Sequence, residues 1–587
     1  MNLFIRKPID SLLHEAENEG GTGLKRVLGP FGLVSLGVGV IIGAGLFSVT
    51  GSVAGAHAGP AITISFVLAA IACGFAGLCY AEFASMLPVA GSAYTYSYAT
   101  MGELVAWIIG WDLVLEYAVA AVTVSISWSQ YLAIFMNDIG FPLPPDLLSC
   151  PSQGGIVCLP AMILVVVLSL LLAKGTEGST RFNDFIVVLK LFVVGAFIIL
   201  GWQYIHTENY TPYIPQNTGV FGEFGWSGIL RGAAILFFAY IGFDAISTAA
   251  QETINPRRNM PIGILGSLLV CAFIYCLFAH VMTGVAPYTA YSKGDMAPIA
   301  TAVHAMGDAG NPLIDIVMYK GTTFAVLLGY ASVVLVMLMG QSRVFFSMSR
   351  DGLLPPFFCH LHKRFHTPAR SNMLFMVVIA LLAGLVPADV AGEMVSIGTL
   401  FAFTLVCTGI LVVRRSMPDA PRGFRTPFVP WVPMAGIMCC VGMMLFLPAD
   451  TWIRLVIWML IGLDVYSVYG VRHSHLASVT DGRRTGQTVL SVAGVVLSFL
   501  CFILASWHQE TIGWEHIGTL FIFTAAFGFV HAGYFITRLS WNRKAGGADT
   551  SRLFILFLPF PAAVPTAFSF ATRTAVFFSK TPVFGNT

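Results

Sequence analysis

Charged side chains are scarce in this 587-residue sequence, where Asp, Glu, Lys and Arg together make up 10 % of the residues. An average soluble domain contains about 25 %. Hydrophobic residues make up 57 % of the chain, so it has too few polar groups to cover a globular surface in water. The net charge of +2 offers no basic surface for nucleic acid. The composition excludes a soluble protein and indicates an all-α integral membrane protein.

Catalytic and metal-binding motifs are also missing. The sequence has no Cys-x-x-Cys pair, no His-Glu-x-x-His motif and no glycine-lysine phosphate loop, which are the usual signals of thiol redox, zinc and ATP chemistry. No nucleophile stands beside a base and an orienting group. We therefore expect neither an enzyme nor a bound metal or cofactor.

Apolar stretches of membrane-spanning length, roughly 20 residues, occur fourteen times. The first covers residues 31–59. The others lie at about 60–86, 102–134, 160–175, 180–204, 228–254, 260–286, 315–349, 371–387, 393–414, 431–448, 452–471, 486–506 and 514–537. Residues 1–28 lack the apolar core and cleavage site of a signal peptide and are expected to form a cytoplasmic tail.

The loops between these stretches differ in charge. Of the 31 Lys and Arg residues, 23 lie on the side of the N-terminus and 3 on the opposite side. Cytoplasmic loops of membrane proteins are enriched in basic residues. We therefore expect a multi-pass membrane protein with both termini in the cytoplasm.

The first stretch is rich in glycine, and each glycine costs about 1 kcal/mol in a helix interior. We expect a break at Gly43-Ala44-Gly45, between half-helices 31–42 and 46–56. Unpaired backbone at membrane depth is tolerated only where protein covers it or a cavity borders it. The N-terminus of the second half-helix would then present N–H groups to an anion. Close helix packing through small residues is the alternative explanation for the glycines.

The sixth stretch predicts a second break, at Ile241-Gly242-Phe243-Asp244. Five stretches separate the two breaks, which indicates two inverted repeats that each begin with a discontinuous helix. The repeats would be residues 29–205 and 226–414. Residues 431–538 would add four peripheral helices, and residues 545–587 form an apolar, proline-containing tail.

Two further charges lie inside apolar stretches: Glu116 in the third and Lys190 in the fifth. Lys190 is too deep for its ammonium group to reach the interface, so it should face the bundle with either an acid or backbone carbonyls as its partner. It is then either a permanent ion-pair member or a desolvated lysine that exchanges a proton during transport.

Two pairs of residues near the membrane surfaces are weaker candidates. Cys150 and Cys158 flank a loop that we place outside, where they could form a disulfide. Glu252 and Arg257 lie at the cytoplasmic end of the sixth stretch and form either an ion-pair gate or a simple helix terminus.

Five long stretches in order carry a family resemblance. They are VSLGVGVIIGAGLFSVTG, YAEFASMLPVAGSAYTYSYATMGELVAWIIGWDLVLEY, KGTEGSTRFNDFIVVLKL, FFAYIGFDAISTAAQETINPRRNMPIGI and GQSRVFFSMSRDGLLP. Through them the chain resembles the cationic amino acid transporter family of the amino acid, polyamine and organocation (APC) superfamily, and its bacterial members most. The resemblance covers residues 31 to about 430, and fourteen spans suit this family.

The resemblance implies that an amino acid is held at both breaks. Its carboxylate would bind the N–H groups of Ala44, Gly45 and Leu46, next to Gly43. Its ammonium group would bind the backbone carbonyls of Ile42, Phe238, Ala239 and Ile241. Phe243 would close over the substrate as a gate.

The resemblance also implies a coupling ion and a side-chain pocket. Lys190 would replace the sodium ion of sodium-driven relatives, which favours proton coupling. From the depth of Glu116 in the third stretch, and not from the resemblance, we expect it to help polarise or neutralise Lys190. Met337 or Met339 of the eighth stretch would face the side chain of the substrate, and methionine adapts to apolar shapes. Asp244 would either bind a basic side chain or cap the second half-helix.

These expectations describe a secondary active transporter that works by alternating access. We expect a proton-coupled symporter of L-amino acids, with a broad neutral range favoured, that acts in the lipid bilayer as a monomer or weak oligomer. The alternatives are a uniporter or exchanger of cationic amino acids and a sensor that binds amino acids without transporting them.

Overall fold

The computed structural model of this chain describes residues 3–8, 28–43, 45–87, 92–173, 179–244, 246–247, 250, 253–291, 298–307, 321–362, 367–476, 483–512 and 519–544. Ala44, Glu252 and the tail from residue 545 lie outside the described residues, and so do the predictions made for them. The described residues form helices and no β-strand, and an isolated parallel bridge joins Leu28 to Thr253.

The helices follow one another along the whole chain. The part of the chain predicted to form the first repeat contains α1 Pro30–Ile41, α2 (residues 45–58, in three short turns), α3 Ile62–Met86, α4 Ser92–Thr100, α5 Glu103–Asp138, α6 Leu159–Ala173 and α7 Ser179–Gly201. The part predicted to form the second repeat contains α8 Gly225–Leu236, α9 Pro256–Val285, α10 Pro298–Gly307, α11 Gly321–Arg350, α12 Ala369–Leu385 and α13 Ala388–Ser416. The remainder holds α14 Trp431–Leu445, α15 Ala449–Val465, α16 Arg483–Ile512 and α17 Thr519–Lys544.

Most of these helices suit a membrane. In the described part of the chain, 9 helical segments are long and apolar enough to cross a bilayer, with α1 to α3 counted as one segment. The apolar helices α6, α12 and α14 are shorter. The all-helical membrane architecture is therefore confirmed, whereas the count of fourteen spans and the inverted repeat stay predictions.

Two helices were not predicted from the sequence. α4 reads SAYTYSYAT and begins at Ser92, whose φ of 51° is left-handed. Its sequence is polar and so contains no apolar stretch that would predict a helix, although every one of its residues is buried. α10 has 10 residues and follows the loop after α9. Both helices are too short to span a bilayer.

Helix α5 is the centre of the bundle. It packs against α11 and α13, while α3 packs along α9 and α1 packs on α9. The peripheral helices α16 and α17 pack on each other. This arrangement places α5, α9 and α11 beside the two breaks, together with α7, which carries Lys190.

An ion-pair cluster ties the end of α3 to the loop between α13 and α14. Glu82 is fully buried; its Oε2 lies 2.9 Å from Arg414 Nη2 and its Oε1 lies 3.0 Å from Arg422 Nε. The backbone N–H of Thr426 donates to Oε2 at 2.8 Å. A buried carboxylate needs such partners, because an unpaired buried charge is costly. The cluster fixes this loop beneath the bundle.

Candidate functional site

The first break lies where the sequence predicts it. α1 ends at Ile41, and Ile42 has extended backbone angles (φ −71°, ψ 99°). The carbonyl oxygen of Gly43 then accepts hydrogen bonds from the N–H groups of Leu46 and Phe47, both at 3.1 Å. The backbone thus leaves one helix and starts the next within a few residues at the predicted glycines.

The second break also lies at the predicted position. α8 continues as a 3-10 turn over Phe237–Tyr240, and Ile241 is extended (φ −60°, ψ 141°). Gly242 has a φ of 115°, a conformation that side chains with a Cβ rarely adopt. A Cβ there would lie 2.7 Å from Val40 Cγ1. Glycine is therefore required at this break both by conformation and by space.

The two breaks touch each other. A Cβ on Gly45 would lie 2.2 Å from the Cα of Ala239, so glycine at position 45 allows backbone-to-backbone contact. The hydroxyl of Tyr275 on α9 lies 2.8 Å from the carbonyl oxygens of both Ile41 and Ala239. A hydroxyl has one hydrogen, so it donates to one of these carbonyls at a time. Tyr275 thereby links the ends of the two broken helices.

Lys190 is buried beside the first break, with 2 % of its surface exposed. Its Nζ donates to the carbonyls of Gly39 at 3.1 Å and of Ile42 at 3.2 Å, and it lies 3.5 Å from Ser332 Oγ on α11. These contacts are with carbonyls and a hydroxyl, and no carboxylate of the described ranges is paired with it. Of the two partner types expected, the structure shows backbone carbonyls.

Glu116 lies in a different environment from the one expected. It is fully buried on α5, faces Thr399 of α13, and has Asp112 and Asp244 as its charged neighbours. The Lys190 ammonium group instead donates to the carbonyls at the end of α1, so the expected role of Glu116 in polarising or neutralising Lys190 stays a prediction. The position of Glu116 in the middle of an apolar stretch therefore indicated that it is buried, but it did not indicate which residues it contacts.

Asp244 stabilises the second break. Its Oδ2 accepts a hydrogen bond from the Tyr117 hydroxyl at 2.7 Å, and its Oδ1 accepts one from the Gly242 N–H at 3.2 Å. Its backbone carbonyl accepts the N–H of Ser247 at 3.0 Å. The carboxylate thus joins the break to α5, and it is fully buried.

Four of the backbone groups expected to bind substrate already have partners within the protein. The carbonyl of Phe238 accepts the Ile241 N–H at 3.2 Å, and the Leu46 N–H donates to Gly43. The carbonyls of Ile42 and Ala239 accept from Lys190 and Tyr275. A carbonyl oxygen has two lone pairs, so these carbonyls can accept one further donor.

One face of α11 lies against the first break. Val333 Cγ2 would lie 3.1 Å from a Cβ on Gly43, and Tyr330 shares a 2.5 Å hydrogen bond with Ser48 of α2. Met337 is four residues after Val333 and therefore on the same helical face. Met337 is 5 % exposed, whereas Met339 lies on another face and is half-buried. Of the two methionines, Met337 is the one on the side of the break.

The remaining candidates are dispersed. Phe243 is fully buried between Tyr80 and Phe403, with ring centroids 5.4 and 4.9 Å away. Arg257 is exposed on the first turn of α9. The gating roles of both stay predictions.

The predicted disulfide is wrong, because Cys150 and Cys158 are free thiols. The Cys158 sulfur contacts the Ser129 hydroxyl of α5 at 3.3 Å, and its backbone N–H donates to Gly384 of α12 at 3.1 Å. The Cys150 sulfur contacts the Ser152 hydroxyl at 3.1 Å. Each thiol therefore has its own partner.

Sequence reasoning missed the hydroxyl groups around the breaks. Tyr117, Tyr275 and Ser332 provide the hydrogen bonds to Asp244, to the helix ends and to Lys190. A usable signal exists for one of them, because Tyr117 directly follows Glu116. Tyr275 and Ser332 are isolated polar residues in apolar helices, and a single sequence does not separate them from other such residues.

Comparison with known proteins agrees with this architecture. The family model described as amino acid permease matches residues 28–469. The chain is 43 % identical over 482 residues to the branched-chain amino acid permease BcaP of Bacillus subtilis, covering 81 % of this chain and 99 % of that protein. It is 39 % identical over 478 residues to the methylthioribose transporter of the same organism, with the same coverage of 81 % and 99 %.

A plant relative is also similar. The vacuolar cationic amino acid transporter 4 of Arabidopsis thaliana is 37 % identical over 420 residues, which cover 71 % of this chain and 68 % of that protein. These matches and the helical membrane fold define a multi-pass membrane transporter and not an enzyme. The chain belongs to the amino acid permease family, which confirms the resemblance inferred from its motifs.

Proposed function

We propose that this transporter is a proton-coupled symporter of neutral L-amino acids. It would act in the bacterial inner membrane by alternating access, with both termini in the cytoplasm. The observation that carries the proposal is the hydrogen bonding of the buried Lys190 ammonium group to the carbonyls of Gly39 and Ile42, at the end of a broken helix.

The substrate would bind where the two breaks touch. The half-helix α2 begins at Gly45 and directs the positive end of its dipole to the break, which favours the carboxylate of an amino acid. The carbonyls of Ile41 and Ala239 share the single hydroxyl hydrogen of Tyr275. An ammonium group brings three donors and no acceptor, so it supplies the hydrogen that the second carbonyl lacks.

Coupling would depend on the proton of Lys190. The protonated ammonium group donates charge-assisted hydrogen bonds to both carbonyls at the end of α1, whereas a neutral amine donates weaker hydrogen bonds because it carries no charge. Loss of the proton would weaken the contact with Ile42 and release the end of α1. Substrate binding at the same break would then be linked to the charge of this lysine.

The side-chain pocket favours aliphatic substrates. Val333 and Met337 form the face of α11 toward the first break and offer no charge to a basic side chain. Asp244, a buried acid at the second break, is hydrogen-bonded to the Tyr117 hydroxyl and the Gly242 N–H. The similarity to a relative named for branched-chain amino acids supports a leucine-like substrate. The similarity to a relative named for cationic amino acids supports the alternative, a transporter of cationic amino acids.

Purified protein in liposomes tests the proposal. We expect an inward proton gradient to accumulate radiolabelled leucine, and leucine addition to carry protons inward without any gradient. Arginine should be transported more weakly than leucine. If leucine uptake does not depend on the pH gradient, the protein is a uniporter or exchanger. Faster uptake of arginine than of leucine would identify a cationic amino acid transporter. Binding of leucine without uptake would identify a sensor.

A further inference from the structure

A groove of about 440 Å³ lies where α12 begins, away from both breaks. It is lined by Phe357, Ala369, Arg370, Met373 and Leu374. Four of these side chains are apolar and one is a cation. The groove therefore combines an apolar trough with a single positive charge at the end of a helix.

The groove opens toward lipid. Arg370 is the first member of a stripe on α12 whose members recur at spacings of three and four residues, which places them on one helical face. The apolar members that follow are Met373, Leu374, Val377, Val378 and Leu381. Leu374 is 43 % exposed and Val377 is 53 % exposed, while Asn372 and Ile379 on the opposite face are buried. Exposed apolar side chains on a membrane helix face the acyl chains.

The walls of the groove are fixed by packing. The ring of Phe357 meets that of Phe358 edge to face at 5.3 Å, and Phe358 packs in the same way on Phe345 of α11 at 4.9 Å. The Thr367 hydroxyl donates to the carbonyl of Ala173 on α6 at 2.9 Å. The start of α12 is therefore anchored to two other helices.

Arg370 differs from other basic residues of the fold that have partners. It is exposed, and it makes no ion pair or hydrogen bond within the described residues. Arg414 and Arg422, by contrast, are both held by Glu82. A free guanidinium group at the edge of an apolar trough can pair with an anion that approaches along the membrane surface.

We propose that this groove binds one anionic phospholipid. An acyl chain would lie along Phe357, Ala369 and Leu374, and the headgroup phosphate would bind the Arg370 guanidinium group. Guanidinium groups bind phosphate through paired hydrogen bonds, and basic pockets near the membrane surface attract anionic lipids. The acyl chain of a zwitterionic lipid fits the same groove, but the cationic group of its headgroup lies close to Arg370. We therefore expect the groove to favour an anionic lipid over a zwitterionic one.

Native mass spectrometry of the full chain in detergent tests the proposal. The protein is titrated with phosphatidylglycerol or with phosphatidylcholine that has the same acyl chains. We expect Arg370→Gln to weaken the first phosphatidylglycerol adduct about fivefold and to leave phosphatidylcholine binding unchanged. Arg415→Gln is the matched control, because Arg415 is an exposed arginine at the end of α13 and is not among the residues that line this groove. Both variants should keep the wild-type melting temperature.

A second variant tests the apolar part. Ala369→Leu fills the apolar part of the groove and keeps the charge of Arg370, so it should weaken the binding of both lipids. Soluble glycerol phosphate should not compete at concentrations where phosphatidylglycerol saturates. The proposal is overturned if Arg370→Gln binds phosphatidylglycerol as tightly as the wild type does, or if Arg415→Gln loses as much affinity for this lipid as Arg370→Gln does. It is also overturned if Ala369→Leu changes the affinity for neither lipid, or if glycerol phosphate competes with phosphatidylglycerol for binding.

Discussion

The ammonium nitrogen of Lys190 lies 3.2 Å from the carbonyl oxygen of Ile42, the residue at which α1 gives way to extended backbone. The last carbonyls of a helix have no partner within the helix, and the negative end of the helix dipole attracts a cation. In the membrane interior there is no bulk water to satisfy them. The lysine therefore does at the end of α1 what solvent does at the end of a soluble helix.

Replacing Lys190 with glutamine should separate coupling from binding. The amide still donates hydrogen bonds to the end of α1 but cannot take up or release a proton. We expect Lys190→Gln to reduce pH-driven leucine uptake to the level of empty liposomes, while leucine binding weakens by about 1 kcal/mol. Isothermal titration and liposome uptake measure the two effects. Wild-type accumulation in this variant would remove the lysine from the coupling mechanism.

Removing the hydroxyl of Tyr275 should affect both stability and substrate affinity. Tyr275→Phe leaves the carbonyls of Ile41 and Ala239 without their donor, which costs about 1–3 kcal/mol. Tyr291→Phe is the control, because the Tyr291 hydroxyl donates to Met282 far from the breaks. Thermal unfolding with and without leucine is the measurement. Equal leucine-induced shifts in both variants would mean that Tyr275 has no role at the binding site.

Alanine at the two glycines of the first break should have different effects. Gly45→Ala places a Cβ 2.2 Å from the Ala239 backbone, which cannot move without separating the breaks. Overpacking of this kind costs about 1–3 kcal/mol, so we expect this variant to lower the unfolding temperature. Gly43→Ala meets only the end of the Val333 side chain at 3.1 Å.

Gly43→Ala should fold like the wild type and bind leucine more weakly, and Val333→Ala should restore its binding. Thermal unfolding and titration of both glycine variants give the comparison. If Gly45→Ala is as stable as Gly43→Ala, the contact between the breaks is not required for folding.

Enlarging Met337 should narrow the range of substrates. Met337→Phe adds bulk on the face of α11 that lies toward the first break, and one misfitting methylene group in an apolar pocket changes rates about tenfold or more. We expect leucine uptake to fall at least that much relative to alanine uptake. Met339→Phe is the control on another face of the same helix, and its ratio of leucine to alanine uptake should stay unchanged. The opposite pattern would assign the pocket to Met339.

Neutralising Glu82 should destabilise the protein from a position outside the substrate site. Glu82→Gln leaves the buried Arg422 side chain and the half-buried Arg414 side chain without their anion, and breaking a buried ion pair costs about 3–5 kcal/mol. Arg415→Gln removes an exposed arginine from the same end of the bundle and should change stability little. Chemical unfolding in detergent measures both. A loss below about 1 kcal/mol for Glu82→Gln would show that the cluster is dispensable.

The sequence by itself determined the membrane class, the family and the position of both helix breaks. These features follow from local properties: the length of apolar stretches sets what can cross a bilayer, and glycine next to an acid or another glycine sets where a helix stops. Gly242 shows this clearly, because its positive φ is a property of its own backbone.

Only the tertiary structure decided which groups those residues contact. Lys190 and the Ile42 carbonyl are separated by 148 positions, and Tyr117 and Asp244 by 127 positions. Such pairs depend on the rotation and depth of packed helices, and a shift of one residue turns a side chain by about 100°. For that reason the burial of Glu116 was predictable, whereas its location beside Asp112 and Asp244 instead of Lys190 was not.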